Sequence, residues 1–236
     1  MRALEYPGPG GAACTARTVE AVVPRPGPGQ VLVRVEAAGL PPVGGTPAGV
    51  PGTEFAGVVV QLGPGTYGLE VGDEVLGHCP SGACAEYAAA DADRVAHRPA
   101  ALPWAEAALL PVTAAGVREH AALRESGAVP IGYGAQLAER VRAAAPQGVD
   151  AVLDAVGAGT APLWPELAGG PERVASPVPP VGRTVGAAES AELGEMVELW
   201  EEGAFRLVPD TVLGLEEAAA HRPPGAGTLA VVVPRT

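Results

Sequence analysis

Short apolar runs separated by glycine- and proline-rich turns fill the first hundred residues. In residues 31–35 valine alternates with leucine and arginine, directly after the turn Pro26-Gly27-Pro28-Gly29. Such alternation predicts a strand with one buried face. Further runs of this kind occur at 55–62, 72–76, 83–90 and 94–97. Short strands this closely spaced predict a compact β-barrel or sandwich.

The second half of the chain changes to a helical period. Residues 135–145 place Leu137 and Val141 on one face, which predicts an amphipathic helix. Apolar runs typical of buried parallel strands are also present. They lie at 129–133, 149–156 and 173–176. A short helix near 163–167, a helix over 189–202 and a strand over 228–233 complete the expected elements.

Charge and composition exclude several classes of partner. The formal net charge is −12, and all 15 cationic side chains are arginine. Nucleic acids and anionic membranes both need clustered cations, so we expect neither as a partner. The three cysteines are an odd number, which predicts reduced thiols and a cytoplasmic location. The absence of lysine and asparagine points to a gene of high G+C content, of actinobacterial style.

Six segments, in a fixed order, carry a family resemblance. They are PGQVLVRV (28–35), PGTEFAGVV (51–59), VGDEV (71–75), GACAEY (82–87), ALLPVT (108–113) and GVDAVLDAVG (148–157). Together they resemble the medium-chain dehydrogenase/reductase superfamily, in its zinc-free quinone oxidoreductase type. The resemblance implies an α/β chain with a β-barrel. A GroES-like barrel domain would cover residues 1–112, completed by about 207–236, and a truncated Rossmann-like parallel sheet would cover 113–206.

The chain departs from the zinc-dependent members of that family at the metal-ligand places. The resemblance puts Pro41, Thr53 and Pro111 where those members have their ligands. None of these side chains binds zinc in the manner of cysteine, histidine or a carboxylate. We therefore expect no metal.

A second departure concerns the cofactor. Between Thr113 and Asp150 the chain lacks about one βαβ unit, which takes roughly thirty residues. In the family that unit carries the G-x-G-x-x-G turn that holds pyrophosphate at a helix N-terminus. The glycine strings at 8–13, 157–159 and 225–230 are interpreted as turns. We therefore expect no bound NAD(P), and we expect the exposed sheet edge to be covered by homodimerisation or by residues 113–125.

The resemblance and the residue types give six candidate site residues. They are Asp154, His78 and Glu54 as catalytic groups, and Cys79, Thr113 and Tyr133 as substrate-binding groups. His78 is the general-base candidate by residue type, with a solvent-exposed loop histidine as the alternative. Asp154 lies near the carboxyl end of an apolar strand, where burial raises a carboxyl pKa. The alternative is a carboxylate that caps the following helix at Gly159-Thr160. Glu54 belongs to a family segment, which also allows a purely structural role.

These features lead to one main functional hypothesis and two alternatives. The main hypothesis is an enzyme without redox activity, a cofactor-independent cyclase, dehydratase or isomerase. Its substrate would be a carbonyl-containing small molecule of specialised, polyketide-type metabolism. The first alternative is an NADPH-dependent quinone or enoyl oxidoreductase that binds its cofactor in a non-standard way. The second is a non-catalytic small-molecule binder or partner subunit.

Overall fold

The computed structural model describes most of the chain. The described residues are 1–7, 16–40, 48–110, 129, 131, 136–154, 161–176, 183–184, 189–204, 208–220 and 230–234. The chain forms two compact units. The first contains Met1–Pro111 and Ala187–Thr236, and the second contains Val112–Gly186. Among the described helices, none has both the length and the apolar character needed to cross a bilayer.

The first unit is built mainly from strands. In chain order they are β1 (Arg2–Glu5), β2 (Arg17–Glu20), β3 (Gln30–Gly39), β4 (Glu54–Leu62), β5 (Glu74–His78), β6 (Tyr87–Asp91), β7 (Val95–His97), β11 (Thr211–Gly214) and β12 (Ala230–Val233). Strands β1 and β2 pair antiparallel, and the others form one sheet in the order β11-β12-β3-β4-β5-β7, with β6 also paired to β3. Among the described residues this pairing path is open.

Each strand expected in the first hundred residues has a counterpart, with shifted bounds. The largest shift concerns residues 83–90, because only Tyr87–Asp91 is a strand there. Residues 83–86 instead pass beneath β1, where Leu4 donates its backbone N–H to the Cys84 carbonyl and Glu86 donates to that of Arg2. Residues 83–86 thus hydrogen-bond to β1 and do not continue the strand that their apolar pattern predicts.

Three helices accompany the strands of this unit. They are α1 (Trp104–Ala107), α4 (Ser190–Glu201) and α5 (Leu215–Ala220). Leu193, Val197 and Trp200 of α4 are buried, as their spacing predicts. The division of the chain differs from the expected one: α4 lies in the first unit, which resumes at Ala187 and not at about residue 207. Its apolar stripe packs with the sheet of the first unit.

The sheet of the first unit has an apolar core on each of its two faces. Phe55 and Val75 belong to one cluster, and their neighbours Ala56 and Leu76 belong to the other. This separation follows from the two-residue period of a strand, which sends successive side chains to opposite faces. The second cluster also includes the buried residues of α1 and α4. We call the face covered by these two helices the helical face.

The second unit contains a small parallel sheet and two helices. Strands β8 (Val152–Leu153), β9 (Val174–Ser176) and β10 (Arg183–Thr184) pair in the order β10-β9-β8. Val152 lies opposite Val174 in parallel register, which confirms that the apolar runs at 149–156 and 173–176 both contribute to a parallel sheet. The helices are α2 (Leu137–Ala144) and α3 (Trp164–Ala168).

Two expectations for the second unit do not match the structure as far as it is described. Val129 and Ile131 are not in a strand, so the strand predicted over 129–133 is absent at both of its described positions. Strand β8 is shorter than the run 149–156, because residues 149–151 and Asp154 are outside it. Leu153 on β8 is 74% exposed. The segment 113–125, expected to cover this edge, lies outside the described residues, and the homodimer stays a prediction.

Candidate active site

Glu54 and His78 face each other across two neighbouring strands. The antiparallel register of β4 and β5 pairs them directly, at the first residue of β4 and the last of β5. His78 Nε2 lies 3.7 Å from Glu54 Oε1, and the two side chains are only 16% and 17% exposed. Glu54 is two residues from Ala56 on β4, and His78 is two residues from Leu76 on β5. Because residues two apart in a strand project to the same face, Glu54 and His78 lie on the helical face. The two catalytic candidates of this unit are therefore in contact range of each other.

Neighbouring groups hold the Glu54 carboxylate. Thr53 donates its hydroxyl hydrogen to Glu54 Oε1 over 2.7 Å. Glu54 also lies against Gly39 of β3, where an added Cβ would stand 3.2 Å from Oε2 and 3.6 Å from the Ala108 carbonyl oxygen. The residue at the family's histidine place, Thr53, thus orients a carboxylate here. No group of three or more metal-ligating side chains occurs among the described residues.

The surroundings of His78 favour its neutral form. Burial lowers the pKa of its imidazole, the Glu54 carboxylate raises it, and the Arg94 guanidinium lowers it; the net result is a pKa below the ordinary value. A histidine with a lowered pKa is unprotonated at neutral pH and can accept a proton. Glu54 beside it is placed to stabilise the imidazolium that proton uptake would create.

The thiols near this pair belong to the opposite core. Cys79 is 4% exposed and Cys84 is fully buried, and both pack in the cluster of Phe55. Their Sγ atoms lie 3.9 Å from the Gly52 carbonyl oxygen and 3.6 Å from that of Gly39. Cys84 is thus a core residue, as its place in an alternating run suggested. A substrate contact of Cys79 stays a prediction, and its thiol lies within the packed core.

We expect these two thiols to resist alkylation in the folded chain. Burial, reinforced by the Glu54 charge, raises the pKa of Cys79 to about 12, and burial also raises that of Cys84. Only the thiolate is the nucleophile, so iodoacetamide at neutral pH should label neither. The measurement is the intact mass of the Cys14→Ser variant after labelling. In this variant Cys79 and Cys84 are the remaining thiols. Unfolding in urea should expose both, and rapid labelling of either one without denaturant would contradict the burial argument.

The candidate of the second unit, Asp154, is held by a tryptophan. Asp154 follows strand β8, is 6% exposed and accepts a hydrogen bond of 3.0 Å from Trp164 Nε1 on α3. This contact links the strand end to the helix within the unit. It gives the carboxylate a structural partner. Gly159 and Thr160, where the predicted helix cap would lie, are outside the described residues. A catalytic role for Asp154 stays a prediction.

Two substrate-binding candidates, Thr113 and Tyr133, lie outside the described residues. Sequence reasoning missed Arg94, whose guanidinium lowers the pKa of His78 from the 3₁₀ turn Ala92–Arg94 that precedes β7. Its signal in the sequence is its place at the start of the run 94–97, but only the structure shows the turn that holds it.

The N-terminus of a helix is where a protein usually holds the pyrophosphate of a dinucleotide. The longest described helix, α4, begins with Glu189 as its N-cap. Glu192 accepts the backbone N–H of Glu189 over 2.9 Å. Two carboxylates at a helix N-terminus repel a pyrophosphate, which that end of a helix would otherwise attract. The glycine strings at 8–13 and 157–159 lie outside the described residues. The N-terminus of α4 therefore does not fit the pyrophosphate of a dinucleotide.

Comparisons with known proteins give a consistent family relationship. Residues 27–133 match the model of the alcohol dehydrogenase GroES-like domain. The chloroplastic quinone-oxidoreductase QR1 of Triphysaria versicolor is 35% identical over 141 residues, which are 53% of this chain and 42% of that protein. The pikromycin polyketide synthase component PikAII of Streptomyces venezuelae is 42% identical over 101 residues, 39% of this chain and 3% of that protein.

Solved structures agree on the fold. A mycobacterial protein solved in complex with NADPH superposes with a TM-score of 0.75 at 23% identity, over 99% of this chain and 100% of that one. Among curated relatives, the chain spans about two fifths of the length of the quinone oxidoreductases it matches. The GroES-like match and these relatives agree with the six sequence segments. The chain thus contains a GroES-like segment over residues 27–133 and resembles the quinone oxidoreductases of the medium-chain dehydrogenase/reductase superfamily.

Proposed function

We propose that this protein moves a proton on a carbonyl-containing small molecule without transferring hydride. The observation that carries the proposal is the Glu54–His78 pair, with 3.7 Å between Oε1 and Nε2 and both side chains mostly buried. A neutral imidazole backed by a carboxylate is a general base that works near neutral pH. Cyclisation, dehydration and isomerisation of carbonyl compounds all begin with removal of a proton next to the carbonyl.

The chemical roles follow from the contacts. His78 takes the proton from the carbon next to the carbonyl, which leaves an enolate. Glu54, held by the Thr53 hydroxyl, stabilises the imidazolium. His78 then returns the proton. In an isomerisation it goes to another carbon, and in a dehydration it goes to the departing hydroxide, which leaves as water. A polyketide-type substrate is proposed because PikAII is a polyketide synthase component.

Turnover of a model thioester tests this proposal. The N-acetylcysteamine thioester of 3-hydroxybutanoate is incubated with the full chain in D₂O without added nucleotide. We expect deuterium at C2, with loss of water to the 2-enoyl thioester if the hydroxyl group leaves. Both products are measured by NMR against a sample without protein. Background exchange at the same rate as with protein would contradict the proposal.

A second candidate function is NADPH-dependent reduction of a quinone or enone. The observation in its favour is the likeness to QR1, which is itself a quinone oxidoreductase. Fluorescence titration with NADPH and oxidation of NADPH with the 2-enoyl thioester distinguish it from proton transfer. Tight NADPH binding with turnover would establish the reductase. Stable small-molecule binding with neither reaction would leave the non-catalytic binder.

A further inference from the structure

Gly39, the last residue of β3, leaves the space that the Glu54 carboxylate fills. A Cβ atom added at Gly39 would stand 3.2 Å from Glu54 Oε2 and 3.7 Å from Glu54 Cβ. A separation of 3.2 Å is tighter than nine in ten real contacts of a Cβ atom, so the carboxylate would have to move by a few tenths of an ångström. The φ angle of Gly39 is not in the left-handed region, so its backbone does not by itself require glycine. What glycine provides at this position is therefore the space beside Glu54.

The backbone around Gly39 is held in place by three sets of contacts. On one side β12 pairs with β3, with Val231 opposite Gly39. On the other side β4 pairs with β3, with Phe55 opposite Ala38. The buried thiol of Cys84 donates to the Gly39 carbonyl oxygen over 3.6 Å. A shift of β3 that made room for a side chain at Gly39 would disrupt these contacts, so the neighbouring carboxylate moves instead.

Helix α1 limits the movement of the carboxylate away from the sheet. This helix packs against β3 and β4. The carbonyl oxygen of Ala108, the C-cap of α1, would lie 3.6 Å from the same added Cβ atom at Gly39. A carbonyl oxygen is the negative end of its peptide dipole and repels a carboxylate. The direction left open to Glu54 therefore leads across β4, away from β3.

The order of the strands determines what lies in that direction. Strand β4 lies between β3 and β5, so Glu54 has Gly39 on one side and His78 on the other. Its Oε2 faces Gly39, and its Oε1 lies 3.7 Å from His78 Nε2. This distance is just longer than a hydrogen bond. A displacement away from β3 would bring the carboxylate closer to the imidazole.

We propose that Gly39 is a positioning residue, whose missing side chain keeps the Glu54 carboxylate at a distance from His78. This inference deepens the proposed function and rests on it for the role of His78 as the base. At the present spacing Glu54 stabilises the imidazolium after proton uptake. At a shorter distance its charge would favour the imidazolium beforehand, because the attraction between opposite charges rises as their separation falls. The base would then already carry a proton near neutral pH.

NMR titration of His78 in the full chain tests the proposal without any substrate. Histidine is labelled with ¹³C and ¹⁵N, and the His78 signal is assigned by its loss in His78→Gln. Burial and the Arg94 guanidinium lower the pKa of His78, and the Glu54 carboxylate raises it. We expect Gly39→Ala to fold and to raise this pKa, because the carboxylate moves closer while the other two influences stay the same. In the Glu54→Gln background the same substitution should leave the pKa unchanged, because the carboxylate charge is gone.

Gly194→Ala is the matched control for Gly39→Ala. It adds the same methyl group to α4, at a position where nothing lies within 4 Å of the added Cβ atom. The pKa of His78 should therefore stay at its original value in this variant.

Three results would overturn the proposal. The first is an unchanged or lowered pKa of His78 in folded Gly39→Ala, because the carboxylate would then not have moved towards the imidazole. The second is an equal rise in the Glu54→Gln background, because packing and not charge would then be responsible. The third is failure of Gly39→Ala to fold, followed by urea denaturation, because the flexible Glu54 side chain would then not have made room for the methyl group.

The titration also separates this inference from the proposed function. If the thioester is not turned over but Gly39→Ala raises the pKa of His78, the proposed reaction is wrong and the positioning stands. If turnover occurs and the pKa does not respond to Gly39→Ala, the reaction stands and the positioning is wrong. Where turnover is found, Gly39→Ala should also move the acidic limb of the pH–rate profile to higher pH, since more of the base is then protonated at a given pH.

Discussion

Replacing His78 with glutamine is expected to slow deuterium exchange into the model thioester by about 10²- to 10⁴-fold, the usual contribution of a positioned general base. Glutamine keeps a polar side chain of similar length but cannot accept and return the proton. Glu54→Gln should also lower the rate, because the imidazolium then forms without its carboxylate 3.7 Å away. The rates are measured by NMR at saturating thioester.

The matched control for this experiment is His97→Gln. His97 lies on β7 in the same sheet, and its side chain is 64% exposed, with Nδ1 3.9 Å from Asp73 Oδ2. It faces neither Glu54 nor His78 in the strand register. We expect no change in exchange rate. If His78→Gln and His97→Gln retained equal rates, the Glu54–His78 pair would not be the catalytic base.

The second large effect concerns the core beneath the site. Phe55 follows Glu54 in β4, is fully buried and belongs to the core opposite the helical face. Truncation of a buried phenylalanine to alanine removes its burial free energy and leaves a cavity, at a cost of about 3–5 kcal/mol in the free energy of unfolding. We expect Phe55→Ala to lose about that much, measured by urea denaturation.

Val22→Ala provides the comparison for Phe55→Ala. Val22 is 91% exposed, so its truncation removes little buried surface and should change the free energy of unfolding by no more than about 0.5 kcal/mol. Phe55→Leu should lower the free energy of unfolding by an amount between those of Val22→Ala and Phe55→Ala. It should leave the NMR signal of His78 unchanged. A loss below about 1 kcal/mol for Phe55→Ala would show that this core is not packed as described, because well-packed phenylalanine sites lose more.

Much of the secondary structure could be predicted from the sequence, for a local physical reason. Alternation of apolar residues identified β3 and β4, and the spacing of Leu193, Val197 and Trp200 identified α4. These signals are short-range, because burying one face of a strand or helix requires them within a single element. Residues 83–86 escaped the same reasoning, since their hydrogen bonds go to a strand about eighty positions away.

The sequence by itself determined the candidate residues Glu54 and His78, the family resemblance and the two apolar runs that contain β8 and β9. Thr113 and Tyr133 are still predictions, and Asp154 has gained a partner in Trp164 without a proven role. Only the tertiary structure decided which side chains meet. Glu54 and His78 are separated by 24 positions along the chain. They meet because the register of β4 and β5 pairs them, and register depends on long-range pairing that no local pattern contains.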